Sequence, residues 1–475
     1  MLLEPGEEHF PLSESSYSLE WRGNRLLIQA WDDTRNLTRR VIGVRQDRPG
    51  KLELTIERFG GAAGRIFLLD LGRVSRAEER KGTRLVWREE FRRALHRQFP
   101  DWKIAELSTE ANLEESLSPA YPRALLRSGT SGWAAISAPP EPGSASNAVT
   151  FGLIWLDYLR RRERRLSIEG LALFLPQAEA RAATLRLPFL NPRAARFYAF
   201  VYTAEGYEDR LDPADYGNLE TRLDPVATIG ADLPPVSAAA VERLASLRFV
   251  ESVRRNDGSV SLRVRGLEFA RATPAGLAFG LDRKTAASAA SLPEIEELAR
   301  EIARLRSSGA GDRGHPLFRE QPEAWLESQV REHLEIIDPT LHCRPVYGQV
   351  PAVAGGDRGI IDLLACGRDG RLAVIELKAS EDIHLPLQAL DYWMRVKWHA
   401  ERGEFTEKGY FPGVALRCDW PRLLLVGPAL DFHPKTETIL RYFAPEIEVE
   451  RIGLGVEWRQ GPRVMFRVPG ARRPI

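Results

Sequence analysis

Three side chains define the chemistry this sequence is equipped for: Asp362 in GIIDLLAC, and Glu376 and Lys378 in RLAVIELKA. Both stretches are apolar runs, and the Asp369-Gly370 pair between them predicts a hairpin closed by a two-residue turn. Successive strand residues point to opposite faces, so Glu376 and Lys378 share one face while Ile375 and Leu377 occupy the other. The hairpin partner carries Asp362 into the same neighbourhood. Two carboxylates on adjacent strands are hard oxygen ligands of the kind Mg2+ or Mn2+ takes, and Mg2+ held by few protein groups keeps several waters. Such a water is a nucleophile whose pKa the metal lowers, and Lys378 is placed to orient it or to stabilise an oxyanion. The expected reaction is hydrolysis of a phosphodiester bond.

This spacing resembles the PD-(D/E)xK nuclease superfamily, in which an acid on one strand precedes an ExK on the next; Ile361-Asp362 stands here where the family has Pro-Asp. The resemblance covers residues 322–430. It implies a further acid from the preceding helix PEAWLESQVREHLEII, with Glu327 the first choice and Glu323 the second. After the ExK strand, Gln388 and Tyr392 in LQALDYW lie four apart on one helical face. They resemble the QxxxY motif of the RecB-type branch, whose Gln and Tyr steady the site or touch nucleic acid. The run of helix, GIIDLL, VIELK and QALDYW is also similar to the nuclease domains of mismatch-type endonucleases.

From the resemblance, Asp362, Glu376 and Glu327 are expected to bind Mg2+ or Mn2+, Lys378 to act on the attacking water, Gln388 to support catalysis and Tyr392 to contact nucleic acid. DNA is favoured over RNA as substrate. The competing reading, from another class, is a non-catalytic nucleic-acid-binding or assembly protein that keeps the motif as a relic. In the plainest reading the three residues are solvent-facing strand charges that pair across the hairpin.

The expected fold class is α/β. A restriction-endonuclease-like αβββαβ core occupies residues 316–475, within an element order of αβββαβαββ. Residues 1–80 read as a β-rich domain, with strands at RLLIQAW, RRVIGV, KLELTIERF and RIFLLDL and with Trp21 and Trp31 as its core or rim aromatics. Residues 81–190 read as an α/β domain with a helix at 86–99, strands at 102–107 and 133–137, a Pro/Gly/Ser-rich linker at 138–147, a helix at 150–162 and a strand at 171–176. Residues 191–315 form a mixed connecting region, with a strand-like stretch at 261–272, a helix at 292–309 and a Gly-rich boundary at 307–316.

The second region echoes the last. Residues 123–137, RALLRSGTSGWAAIS, align without gaps on 362–376, DLLACGRDGRLAVIE, and WLDYLR at 155–160 echoes ALDYWMR at 389–395. On that alignment Arg123, Ser137 and Pro139 stand at the positions of Asp362, Glu376 and Lys378. The second region thus reads as a degenerate nuclease-like fold without a metal site, serving packing, dimerisation or nucleic-acid grip, beside the plainer reading of an unrelated α/β domain; a second copy of the chain is a candidate partner.

Charge gives little direction, because 67 Lys and Arg nearly balance 66 Asp and Glu, so any basic footprint must be local. The run RRRERR at 160–165 supplies one, and Arg160 and Arg161 are candidate phosphate contacts beside the plainer reading of a solvated helix end. Cys343, Cys366 and Cys418 form no CxxC pair, which argues against a structural zinc site or disulfide framework. With no apolar run long enough to span a membrane and no signal-like start, a cytoplasmic protein is expected. Dinucleotide, P-loop, GxSxG and HExxH signatures are absent. His384, close after the ExK, reads as a loop residue.

Overall fold

The computed structural model describes residues 2–3, 16–23, 25–31, 36–48, 51–57, 63–69, 76–202, 208–213, 221–226, 233–255, 257–307, 309, 313–354 and 357–470. It is a mixed α/β chain that divides into two compact units. One comprises residues 1–183 with 196–212, the other 184–195 with 213–475. The boundary read at 307–316 therefore falls inside the second unit. There buried Arg306 ties the helix Leu292–Leu305 to the short helix Pro316–Arg319 by donating to the Leu317 and Glu320 carbonyls, both at 2.7 Å. Among the described residues no helix is long and apolar enough to cross a membrane.

The first unit begins with a six-stranded antiparallel sheet, whose long strands Arg25–Trp31, Asn36–Arg48, Lys51–Glu57 and Ala63–Leu69 lie where alternating residues predict them. Its core is Ile28, Ala30, Val41, Leu54, Ile56 and Ile66. Trp21 and Trp31 lie outside that core, 69% and 38% exposed: Trp21 is on the edge strand Ser16–Arg22, and Trp31 is the last residue of the strand beside it.

The second sheet of this unit and the large sheet of the second unit share one topology. In the first, Lys103–Ser108, Arg123–Ser128, Ser131–Ser137, Ser167–Pro176, Arg196–Tyr202 and Glu208–Leu211 follow one another across the sheet. The pairings run antiparallel, antiparallel, parallel, parallel, antiparallel. In the second, Tyr347–Ala354, Asp357–Cys366, Leu372–Leu377, Arg422–Pro428, Val449–Leu454 and Val464–Pro469 repeat that order and those directions, with Thr221–Leu223 added at the edge. A helix precedes each, Arg76–Gln98 or Pro322–Glu332, and another, Ser144–Arg162 or Leu385–Glu401, links the third strand to the parallel fourth. The helix Ser144–Arg162 starts inside the segment read as a linker.

The two hairpins differ by one residue, which corrects the ungapped alignment. In the first, Arg123 pairs with Ile136 around the two-residue loop Gly129-Thr130; in the second, Leu363 pairs with Ile375. The loop there has three residues, Arg368 to Gly370, closed by Gly367 N–H donating to Arg371 O at 2.7 Å, with Gly370 left-handed at φ 83°. Asp369-Gly370 is thus not a two-residue turn. With Ser137 at the position of Glu376, Pro122, which accepts from Ser137 N–H at 2.9 Å, takes the position of Asp362. Arg123 is instead buried over Trp155 at 5.4 Å, and Ser137 Oγ bonds Tyr202 Oη at 3.0 Å.

The connecting region contains a separate antiparallel sheet. The stretch read as one strand is a hairpin, Val260–Val264 and Leu267–Thr273, turned by Arg265 and Gly266, both at positive φ. A Cβ on Gly266 would lie 2.1 Å from the Ala324 carbonyl oxygen in the helix Pro322–Glu332. Gly266→Val is therefore expected to lower stability by roughly 2–4 kcal/mol, through a strained φ and a backbone clash together. Urea unfolding reads this as a fall in midpoint at unchanged slope.

Candidate active site

Every residue of Leu372–Leu377 is buried. Ala373, Ile375 and Leu377 pack in a core with Trp325, Leu326 and Val330 of the preceding helix, while Leu372, Val374 and Glu376 lie on the face toward the helix Leu385–Glu401. A strand covered on both faces reads as a continuous apolar run, so Glu376 is a carboxylate set in a hydrophobic strand. It is 1% exposed, and its Oε2 has no hydrogen-bond partner among the described residues. An uncompensated buried carboxylate oxygen is costly, and a bound cation is one physical way to offset it.

Asp362 and Glu376 occupy facing positions of the hairpin, where each carboxyl acts on the other's charge. Burial pushes Asp362 up to about 6; the Leu377 amide, donating to Asp362 Oδ2 at 3.0 Å, and the charge of Lys378 oppose the rise. Glu376 is raised well above the ordinary carboxylate range, first by burial and then by the charge of Asp362. The pair behaves as two carboxyls that resist simultaneous ionisation. Lys378 follows on the strand end, held by its amide to Val426 O at 3.1 Å, with Nζ 3.5 Å from Asp382 Oδ2.

Gln388 and Tyr392 do meet on the helix Leu385–Glu401, Gln388 Nε2 donating to Tyr392 Oη at 3.2 Å. Tyr392 is pushed up to about 12, first by burial and then by the charge of Glu376, so its hydroxyl belongs to the electrostatic surroundings of the acid pair. The helix is anchored by Asp391, which takes two hydrogen bonds at 2.8 and 2.6 Å from buried Arg186, and by Trp393, whose Nε1 donates to Pro421 O at 2.7 Å. His384 is the residue just before this helix, half-buried.

Glu327 is buried on the preceding helix, where Arg331 pairs with Oε1 and Gln349 Nε2 donates to Oε2 at 3.0 Å. Glu327 and Glu323 line one cavity of about 490 Å³ together with Asp362 and Gln349. Gln321 and Gln349, both at this cavity, are non-glycine residues at positive φ, 45° and 55°, a kind of backbone strain that clusters at functional sites. Among the described residues no three Asp, Glu, His or Cys side chains converge as a ready ligand cluster. Asp362 and Glu376 face each other in the hairpin, while Glu327 and Glu323 line the cavity that Asp362 also borders.

Arg160 and Arg161 are engaged within their own unit. Arg160 donates to Ile168 O at 2.9 and 3.2 Å, and Arg161 pairs with Glu115 at 2.6 Å and Asp157 at 2.9 Å. These bonds satisfy a helix end.

Sequence reading missed the cationic side of the cavity, formed by Arg255, Arg263, Arg271 and Lys284 of the small sheet region. Alternation does not reveal it: Ser261 and Arg263 share a strand face, but Glu268 and Arg271, three apart, meet on it only through the bulge in the register at Leu262/Arg263. In comparisons with known proteins, no family model matches this chain, and no protein of curated function is significantly similar to it.

Proposed function

We propose that the chain is a divalent-metal-dependent nuclease that hydrolyses phosphodiester bonds, in DNA by preference, with a restriction-endonuclease-like core in its second unit. The observation that carries this reading is the buried Asp362–Glu376 pair with its unpartnered Glu376 Oε2, beside Lys378 and the Gln388–Tyr392 contact. Bound Mg2+ or Mn2+ would supply charge neutralisation and a water of lowered pKa. Asp362 and Glu376 would hold the ion. Lys378 would orient the attacking water or offset charge on the phosphoryl oxygens, while Gln388 fixes the Tyr392 hydroxyl near the acids. The matching strand order of the first unit, with Pro122 and Ser137 at the positions of the two acids, supports reading that sheet as a copy without the site.

Glu327 favours the competing reading, a nucleic-acid-binding protein without catalysis, because its carboxylate is taken up by Arg331 and Gln349. Lys378→Ala separates the two. The nuclease reading expects its cleavage of single-stranded, duplex and branched DNA with Mg2+ or Mn2+ to fall about 100-fold or more, with metal affinity within a few-fold of wild type. Equal cleavage by both proteins would contradict it.

A further inference from the structure

Arg263 is 7% exposed, lines the cavity beside Asp362, and makes one hydrogen bond of its own, from Nε to Ser261 Oγ at 3.0 Å. Its register neighbours are Glu251 and Glu268, yet no ion pair within reach joins it to either among the described residues. Both acids are already occupied: Glu251 by the Ser328 hydroxyl, and Glu268 by Arg255 at 3.2 Å, Arg271 at 3.0 Å and Lys284 at 3.5 Å. Glu268 is thus shared by three cations, with Arg263 beside them, at a cavity whose other lining includes Asp362, Glu327 and Glu323. Burying a guanidinium is costly, the charges of Glu251 and Glu268 offset that cost only in part, and an anion in the cavity would offset more of it. Burial holds Arg255, Arg263 and Lys284 below their usual pKa values; Glu268, and for Arg263 also Glu251, opposes this, and repulsion from Arg271 adds to it.

We propose that Arg255, Arg263, Arg271 and Lys284 form a phosphate-binding wall that holds a backbone phosphate of the nucleic-acid strand adjacent to the one at Asp362 and Glu376. The inference rests on the nuclease reading for its substrate, but the wall is an anion site in its own right. Guanidinium groups suit it, since their planar donors match phosphate oxygens in pairs. The small sheet region is then a substrate grip, docked on the helix Pro322–Glu332 through Gly266.

The test is binding of a fluorescein-labelled 20-nucleotide single-stranded DNA to the full-length chain, read by anisotropy across a KCl series in EDTA so that no cleavage intervenes. Arg271→Gln and Lys284→Gln alter half-exposed side chains and keep the test valid should Arg263→Gln fail to fold. Each is expected to weaken binding about 5- to 10-fold and to lower the salt slope by about one. Arg300→Gln, on the exposed face of the helix Leu292–Leu305, is the control and should match wild type. Unchanged affinity and slope in Arg271→Gln and Lys284→Gln would overturn the wall. Lost binding in these variants with no cleavage by wild type would overturn the nuclease reading and leave the wall standing. Cleavage by wild type, with binding unaltered in the variants, would do the reverse.

Discussion

Asp362→Asn is expected to lower metal-dependent DNA cleavage by about a thousandfold or more. The reason is that Asp362 serves two partners at once. Its Oδ2 accepts from the Leu377 amide at 3.0 Å, fixing the carboxyl against the ExK strand, and its charge is one half of the buried acid pair. Asparagine can keep the hydrogen bond through its carbonyl oxygen but supplies no negative charge to a cation. Folding should therefore survive and Mn2+ affinity should fall at least tenfold, which calorimetric titration measures separately from cleavage. Retained cleavage with retained metal affinity would remove Asp362 from the site.

Glu376→Gln is expected to make the metal-free protein more stable at pH 8, while abolishing cleavage. Both acids have folded pKa values raised above those of the unfolded chain. The stability that this pair contributes is therefore fully present below about pH 4, the ordinary carboxyl value, and is lost as pH rises through the folded values, about 6 for Asp362. At pH 8 the pair is a net burden, and removing one of its two ionisable groups relieves it. Thermal unfolding in EDTA at pH 5 and pH 8 should show wild type losing more stability than the variant over that interval. Adding Mn2+ at pH 8 should raise the wild-type midpoint, by about 2.7 kcal/mol at a hundredfold excess over Kd, and leave Glu376→Gln unmoved. Parallel pH profiles for the two proteins would contradict the coupled pair.

The site is legible in the sequence where local pattern and tertiary structure agree. The apolar strand holding Glu376, the hairpin partner holding Asp362 and the helix bearing Gln388 and Tyr392 follow from periodicity, and the fold puts them where that pattern predicts. The hairpin loop departs from expectation because a Gly at positive φ serves a three-residue loop as well as a two-residue turn. The break at Arg265-Gly266 is hidden because arginine seldom adopts positive φ, and docking against Ala324 imposes it here. The cationic wall is not legible at all: Arg263 and Asp362 lie about a hundred residues apart in sequence and meet only across a tertiary cavity. The sequence leaves Trp21 between core and rim for a related reason, since pattern gives a strand's apolar face but not whether that strand lies at the sheet edge.

Whether Asp362 and Glu376 recruit a divalent cation to cut phosphodiester bonds is measured by product release from end-labelled single-stranded, duplex and branched DNA. The wild-type protein is first stripped with EDTA and then given back Mn2+ in steps. No product is expected in EDTA, and cleavage should rise with Mn2+ to saturation on at least one of the three substrates. Cleavage that ignores Mn2+, or none from wild type on any substrate at saturating Mn2+ or Mg2+, would contradict the metal-dependent role of the pair.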